Sequence, residues 1–330
     1  MPRHARLDIP GLLQHVIVRG IEGADIFSDD ADRGRFVARL STLLLETDTD
    51  CLAWALIPNH FHLLLRSNRL ELSLFMRRLL TGYAVTFNRR HGRSGHLFQN
   101  RYKSMVCEED PYLLELIRYI HLNPLRAGLV QDLNELERYP WCGHGALLGQ
   151  PAMAGQMIDE VLALFANNAQ GARYAYRQFL AAGVAQGQRP ELVGGGLRRS
   201  RTQEGAAADG NLADERVLGS GSFVASLRGE PRLRGKLSHA VDLDSLQVMV
   251  CDLFTLPAEA LQRRGRRNQY AAARELFCYL GVRELGYSGA QVGLPLSMGS
   301  SSVCRAVRRG EELVASRPEV AAWWTAKIKQ

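Results

Sequence analysis

The chain has 330 residues, a formal net charge of +7 and a pI near 9.2, and 46% of its residues are hydrophobic. That length suits about two domains, and no apolar run approaches the roughly 18 residues of a membrane span. Six cysteines without a C-x-x-C pair argue against a zinc site or a disulfide framework, and the start shows no secretory pattern, so the expected setting is the reducing cytoplasm.

The positive charge is uneven. Between Arg66 and Lys103 nine basic residues face the single acid Glu71, and nine arginines between Arg263 and Arg309 face only Glu275 and Glu284. Two such segments predict either two surfaces for a polyanion or two solvated helix faces.

In chain order, "HVIVR" (15–19) is short and β-branched and reads as a strand. A helix follows, capped by Asp29 or Asp30, with Phe36, Leu40, Leu43 and Leu44 on one face. "CLAWALI" (51–57) and "HFHLLLR" (60–66) flank the turn signal Pro58-Asn59 and predict a hairpin. The next helix carries Leu74, Leu79, Leu80, Tyr83 and Phe87 on one face and arginines outside. A basic loop, "HGRSGHLFQNRYKS", leads to a strand at 104–107. The helix of "EEDPYLLELIRYIHLNP" has Asp110 as its expected cap and Pro111 at its first position. Pro124 disturbs its far end, because proline cannot donate to the Ile120 carbonyl. The pattern is α+β, an antiparallel sheet with helices packed on it. Residues 1–150 are expected to form one domain, 151–241 a helical extension and a Gly/Ala-rich linker, and 242–330 a second, helical domain.

"IPNHFHLLLR" (57–66) poses the chemical question. Residues two apart in a strand share a side, so His60 and His62 emerge together while Phe61, Leu63 and Leu65 face away. The pair is either a metal seat or two histidines satisfied by local hydrogen bonds. Magnesium or manganese needs more ligands, mostly oxygen, and Asn123 offers one. Tyr119 lies one helical turn before it, on the same face, where a divalent cation would polarise a phosphate for attack by the phenol. Tyr83, Tyr102 and Tyr112 are further candidates, and Asn123 before Pro124 also reads simply as a helix end.

"HVIVRG", "IPNHFHLLLR", "GHLFQNRYKS" and "LIRYIHLNPLRAGLV" occur in that order. Together they resemble the tyrosine transposases of the IS200/IS605 kind, above all the REP-associated group, within the HUH single-strand endonucleases. The resemblance spans about residues 8–145. It implies a ferredoxin-like antiparallel sheet with the histidine pair on a central strand, His60 and His62 as ligands of Mg2+ or Mn2+, Asn123 completing the metal site, and Tyr119 as nucleophile. The implied substrate is single-stranded DNA near a hairpin, cut through a 5′-phosphotyrosine and rejoined. Arg77, Arg78, Arg89, Arg90, Arg93, Arg101 and Lys103 are then candidates for backbone phosphates, and His91, His96, Phe98 and Tyr102 for stacking on bases.

Residues 242–316 resemble the DNA-binding domain of the replication initiator DnaA, a helix-turn-helix relative. "RRNQYAAARELFCYL" matches its long basic helix, "SGAQVGLPL" the short one and "SSSVCRAVRRGEEL" the recognition helix. This implies duplex DNA as partner, met by Arg266, Arg267, Ser301, Ser302, Arg305, Arg308 and Arg309. "GSSS" replaces the family's Asp-His-Ser-Thr stretch, and no ATP-binding signature occurs, so initiator activity is not expected. The competing reading is a non-catalytic protein that binds hairpin DNA or regulates transcription. A relaxase or rolling-circle initiator would share the histidine pair but not the motif order. Monomer and homodimer are both compatible with the sequence.

Overall fold

The computed structural model describes residues 6–187, 189, 192, 214, 216–233, 241–257, 261–262, 269–285, 287 and 289–328. It divides into two compact units: the described residues from Asp8 to Leu192 with 216–223, and those from Val224 onward with Arg6, Leu7 and Asp214.

In the first unit, β1 (Leu13–Arg19), α1 (Asp30–Thr47), β2 (Thr49–Ile57), β3 (His60–Ser67), α2 (Leu72–Arg90) and β4 (Lys103–Cys107) come first. After them come α3 (Glu109–His121), α4 (Asn123–Arg126), α5 (Leu133–Arg138), α6 (His144–Leu147), α7 (Ile158–Ala163), α8 (Ala169–Ala182) and β5 (Val217–Leu218). The strands lie in the order β2-β3-β1-β4-β5. All pair antiparallel except the short β4–β5 edge, which is parallel and falls inside the stretch expected to be a linker. Without that edge, the βαββαβ order is ferredoxin-like, as expected.

Alternation along the strands sorts the sheet into two faces, and helices cover both. Val16, Val18, Trp54, Leu56, Phe61, Leu63 and Leu65 meet α1 and α2 in one core cluster. Leu13, Ala53, Ala55, Leu64, Met105 and Cys107 meet α3 in the other. The histidine-bearing face of β3 is therefore roofed and not displayed, and His62 is only 3% exposed.

Local chemistry sets the element ends. Asp29 caps α1 by accepting from the Asp32 N–H at 2.9 Å, and Asp8 accepts from the first N–H groups of α2, at Leu72 and Ser73. The buried face of α2 is Leu72, Phe75, Met76, Leu79, Leu80, Tyr83 and Phe87. Leu74, expected on that face, is only half-buried. The start of α3 also differs from expectation. It begins at Glu109, preceded by Glu108 with no side-chain cap, so Pro111 stands third and Asp110 lies inside the first turn, where its charge suits the helix dipole.

The helical stretch expected to be a separate extension is part of the first unit's core. Val161, Leu162, Ala172, Tyr176 and Leu180 pack with Leu116, Ile117 and Ile120 of α3. Arg118 helps to fix this arrangement, with its guanidinium 4.3 Å from the Phe179 ring and donating to Glu115.

In the second unit come α9 (Gly221–Gly229), on which the division falls, α10 (Leu243–Leu253), α11 (Gln269–Tyr279), α12 (Gly289–Gly293), α13 (Ser300–Ser316) and α14 (Pro318–Ile328). Val250, Phe277, Val292, Val303, Val307 and Trp324 share its core. Two glycines permit close approaches. A Cβ at Gly293 would lie 2.2 Å from the Met298 carbonyl oxygen, in the turn between α12 and α13, and one at Gly310 would lie 2.2 Å from that of Glu275, where α13 crosses α11.

Candidate nucleic-acid cleavage site

The site begins with the hairpin. The Pro58-Asn59 turn is pinned from outside, with Pro58 accepting from the Ile26 N–H and Asn59 from the Gly20 N–H. The Asn59 side chain donates through Nδ2 to the Gly23 carbonyl at 3.2 Å, which aims its Oδ1 at His60 Nδ1, 2.6 Å away. An amide oxygen only accepts, so His60 carries its proton on Nδ1 and leaves Nε2 as a lone pair.

Register places the next residue. His62 pairs with Ile17 of β1 on one side and with Ala55 of β2 on the other. His15, two residues before Ile17, therefore shares the face of His62. His62 Nδ1 lies 3.0 Å from His15 Nε2, and the rings stack at 5.3 Å. His15 is fully buried.

Helix α3 brings the phenol. The Tyr119 ring stands edge-on to His62 at 5.7 Å and to His15 at 5.9 Å; His60 and His62 are 5.2 Å apart. Tyr119 is half-buried, and the Arg126 guanidinium lies 5.4 Å from its ring centroid. Tyr112 packs partly buried on the same core, whereas the Tyr83 hydroxyl is committed to the Ile26 carbonyl at 2.6 Å.

Asn123 holds the end of α3. Its Nδ2 donates to the Tyr119 carbonyl at 2.9 Å and more weakly to that of Ile120 at 3.5 Å, the acceptor that Pro124 cannot serve. Its hydrogen bonds go to the backbone that carries Tyr119, not to the imidazoles.

Burial is the main force on the imidazoles. It lowers the pKa of His15 and of His60 to about 4, and it holds that of His62 well below the ordinary histidine value, helped by its histidine neighbours. All three are neutral at pH 7. A divalent metal takes a neutral imidazole through one ring nitrogen while a partner holds the other. Asn59 holds His60 and His15 holds His62 at Nδ1, so the pair fits such an ion through Nε2 when His62 carries its proton on Nδ1. Among the described residues no group of three or more His, Cys, Asp or Glu is placed to hold a metal.

The basic residues split into two kinds. Arg66 is neutralised by Asp50, Glu109 and Glu160, at 2.8–3.3 Å, so a phosphate there would have to displace three carboxylates. Arg90 is held by Asp29 and Asp32, and His91 also meets Asp32 at 2.9 Å; these two clamp α2 to the start of α1. Arg78 pairs with Glu46. Arg77, Arg89, Arg93, Arg101 and Lys103 are exposed, as is His96, while Phe98 and Tyr102 are half-buried against the α1–α2 core. In the second unit Ser301, Arg305 and Arg308 are exposed on α13 and Ser302 is half-buried; Arg308 lies 3.7 Å from Glu312, and Arg309 binds Glu275 at 2.5 Å. Arg266 and Arg267 lie outside the described residues.

His15 is the site residue that the sequence reading missed. Its signal was a histidine in a mostly apolar strand, legible only once β1 is placed beside β3.

No helix among the described residues is long and apolar enough to cross a membrane. No curated protein matches the chain. A solved structure described as "Structure of the REP associates tyrosine transposase bound to a REP hairpin" aligns with 48% of this chain and 93% of its own, at 15% identity and a TM-score of 0.38. That likeness is too slight to speak to function. Residues 9–123 match the family described as "Transposase IS200 like", a span that holds His15, His60, His62, Tyr119 and Asn123 and relates this part of the chain to those transposases.

Proposed function

We propose that the first unit nicks and rejoins single-stranded DNA at hairpin or repeat sequences through a covalent bond to Tyr119. The observation that carries this reading is the meeting of a half-exposed phenol with the neutral imidazoles of His60 and His62, inside the span matched to the IS200-like transposases.

Tyr119 Oη attacks the scissile phosphorus. An O–P bond to the tyrosine forms, the bond to the 3′ oxygen breaks, and the phenolic proton ends on that leaving oxygen or in water. A 3′-hydroxyl reverses the step, and the strand is rejoined without an external energy source. His60 and His62 would hold Mg2+ or Mn2+, which when bound polarises the phosphate and offsets the charge that develops on it. Asn123 keeps the phenol in place through the α3 backbone. Helix α3, packed over the sheet, excludes bulk water from His15 and His62, and the exposed arginines of α2 and the following loop supply phosphate contacts. The α12–turn–α13 segment, with Arg305 and Arg308 on the exposed side of α13, is read as a duplex-DNA anchor.

The test uses end-labelled hairpin oligonucleotides with Mn2+. The wild-type protein is expected to form an adduct that survives detergent, and Tyr119→Phe to bind the oligonucleotide but form none. An adduct that persists in Tyr119→Phe would overturn the assignment, and a wild-type chain that binds hairpins without forming any adduct would favour the non-catalytic reading.

A further inference from the structure

His15 has no place in the catalytic step above, yet it is a fully buried polar side chain in a strand that also buries Leu13, Gln14, Val16 and Val18. A buried imidazole without good hydrogen bonds is costly. Its Nδ1 has no partner of good geometry, although the Leu192 backbone gives partial support. Its one short bond is to His62. Packing alone would be better served by leucine or phenylalanine.

The geometry of the two ligand histidines says what that bond does. The Asn59 oxygen fixes His60 with its proton on Nδ1. For both histidines to present lone pairs to one cation, His62 must adopt the same tautomer, and its Nδ1–H then needs an acceptor. In the neutral imidazole of His15, Nε2 can only be that acceptor if the proton of His15 sits on Nδ1. The pair is otherwise ambiguous: reversed, His15 would donate to His62 Nδ1 and place a hydrogen on the Nε2 that a metal needs.

We infer that His15 is a positioning residue that holds His62 in the Nδ1–H tautomer and fixes its ring, as Asn59 does for His60. This deepens the proposed cleavage function and rests on it only for its consequence, since the tautomer can be read without metal or DNA. Partners of this kind are worth about 10–100-fold in metal affinity where they have been removed from other sites.

The experiment compares the full-length wild type with His15→Phe, which keeps the volume but removes the acceptor, and His15→Gln, whose amide oxygen restores one. Long-range 15N–1H spectra of 15N-histidine protein, with His62→Gln for assignment, report the tautomer in the absence of metal; Mn2+ affinity is measured by electron paramagnetic resonance. The wild type and His15→Gln are expected to show His62 protonated on Nδ1. His15→Phe is expected to show a mixture or the Nε2–H form and to bind Mn2+ about 10–100-fold more weakly, with Gln recovering most of the loss. An unchanged His62 tautomer in His15→Phe, or equal damage from Phe and Gln, would overturn the inference. If the tautomer follows His15 while the wild type neither binds Mn2+ nor forms an adduct, the positioning role stands and the cleavage reading fails.

Discussion

Two imidazole–phenol groups flank the end of α3 and differ in what their polar atoms touch. In one, Tyr119 meets His15 and His62 by ring edges, at 5.7–5.9 Å, and is half-exposed. In the other, the hydroxyl of fully buried Tyr176 lies 2.8 Å from His121 Nδ1 and 2.7 Å from His144 Nδ1. A hydroxyl has one hydrogen, so Tyr176 can donate to at most one imidazole and must accept from the other. Burial pushes its pKa well above the usual phenol range, and no phosphodiester can reach it. The comparison shows that residue type does not make a reactive site. Solvent access to the phenol, and lone pairs left over on the imidazoles, separate a candidate nucleophile from a core hydrogen-bond network.

The largest expected contrast lies between the two tyrosines. Tyr119→Phe should lower adduct formation by more than about 10³-fold without loss of stability. Tyr176→Phe should leave adduct formation within a few-fold, yet lower unfolding stability by about 1–3 kcal/mol, because two buried imidazoles lose their partner. Parallel adduct assays and urea denaturation would show whether the effects cross over; similar losses of adduct in both variants would break the distinction.

Metal should separate the groups next. At about 100 times its dissociation constant, Mn2+ should stabilise the wild type by about 2.7 kcal/mol. That gain should vanish in His60→Ala and persist in His144→Ala, as read by thermal unfolding. Persistence in His60→Ala would move the metal elsewhere.

Acid should act on both groups alike. The pKa values of His15, His60 and His144 lie at about 4 in the fold, against 6.5 for a free histidine. The unfolded chain therefore binds more protons between those values, so stability is present above about pH 6.5 and is lost as pH falls toward 4. Each such histidine steepens the loss by about 1.4 kcal/mol per pH unit. His144→Phe should show a shallower decline than wild type in urea midpoints measured across that window. A decline of the same slope would mean that His144 is not held neutral by burial.

Much of the fold was legible because its signals are local. The two-residue turn at Pro58-Asn59, the Asp29 cap and the alternation of His60, Phe61 and His62 follow from neighbours in sequence, and so does the break that Pro124 imposes just after Tyr119. What stayed hidden depends on distant pairing. His15 joins the site only through the register of β1 against β3, 47 residues away in sequence from His62. The parallel edge β5 lies in a glycine- and alanine-rich stretch with no strand periodicity of its own. Helices α7 and α8 are amphipathic, which shows that they pack but not on what. Among the arginines, charge density alone did not distinguish Arg90, which is clamped by Asp29 and Asp32, from exposed Arg93 and Arg101.

That last difference carries the smallest prediction. Arg93→Gln or Arg101→Gln should each reduce the salt slope of single-stranded DNA binding by about 0.7, the loss of one phosphate contact. Arg90→Gln should leave the slope unchanged and lower stability instead. Fluorescence anisotropy titrations at several salt concentrations would decide, and a slope change in Arg90→Gln would mean that its clamp opens to DNA.

The most direct measurement is the address of the covalent bond. Trypsin cuts after Arg118 and after Arg126, so Tyr112 and Tyr119 fall in different peptides, 104–118 and 119–126. After reaction with a hairpin oligonucleotide and nuclease digestion, mass spectrometry should find the nucleotide remnant on residues 119–126, at Tyr119. A remnant on residues 104–118, or on a peptide that holds Tyr83 or Tyr102, would contradict the account.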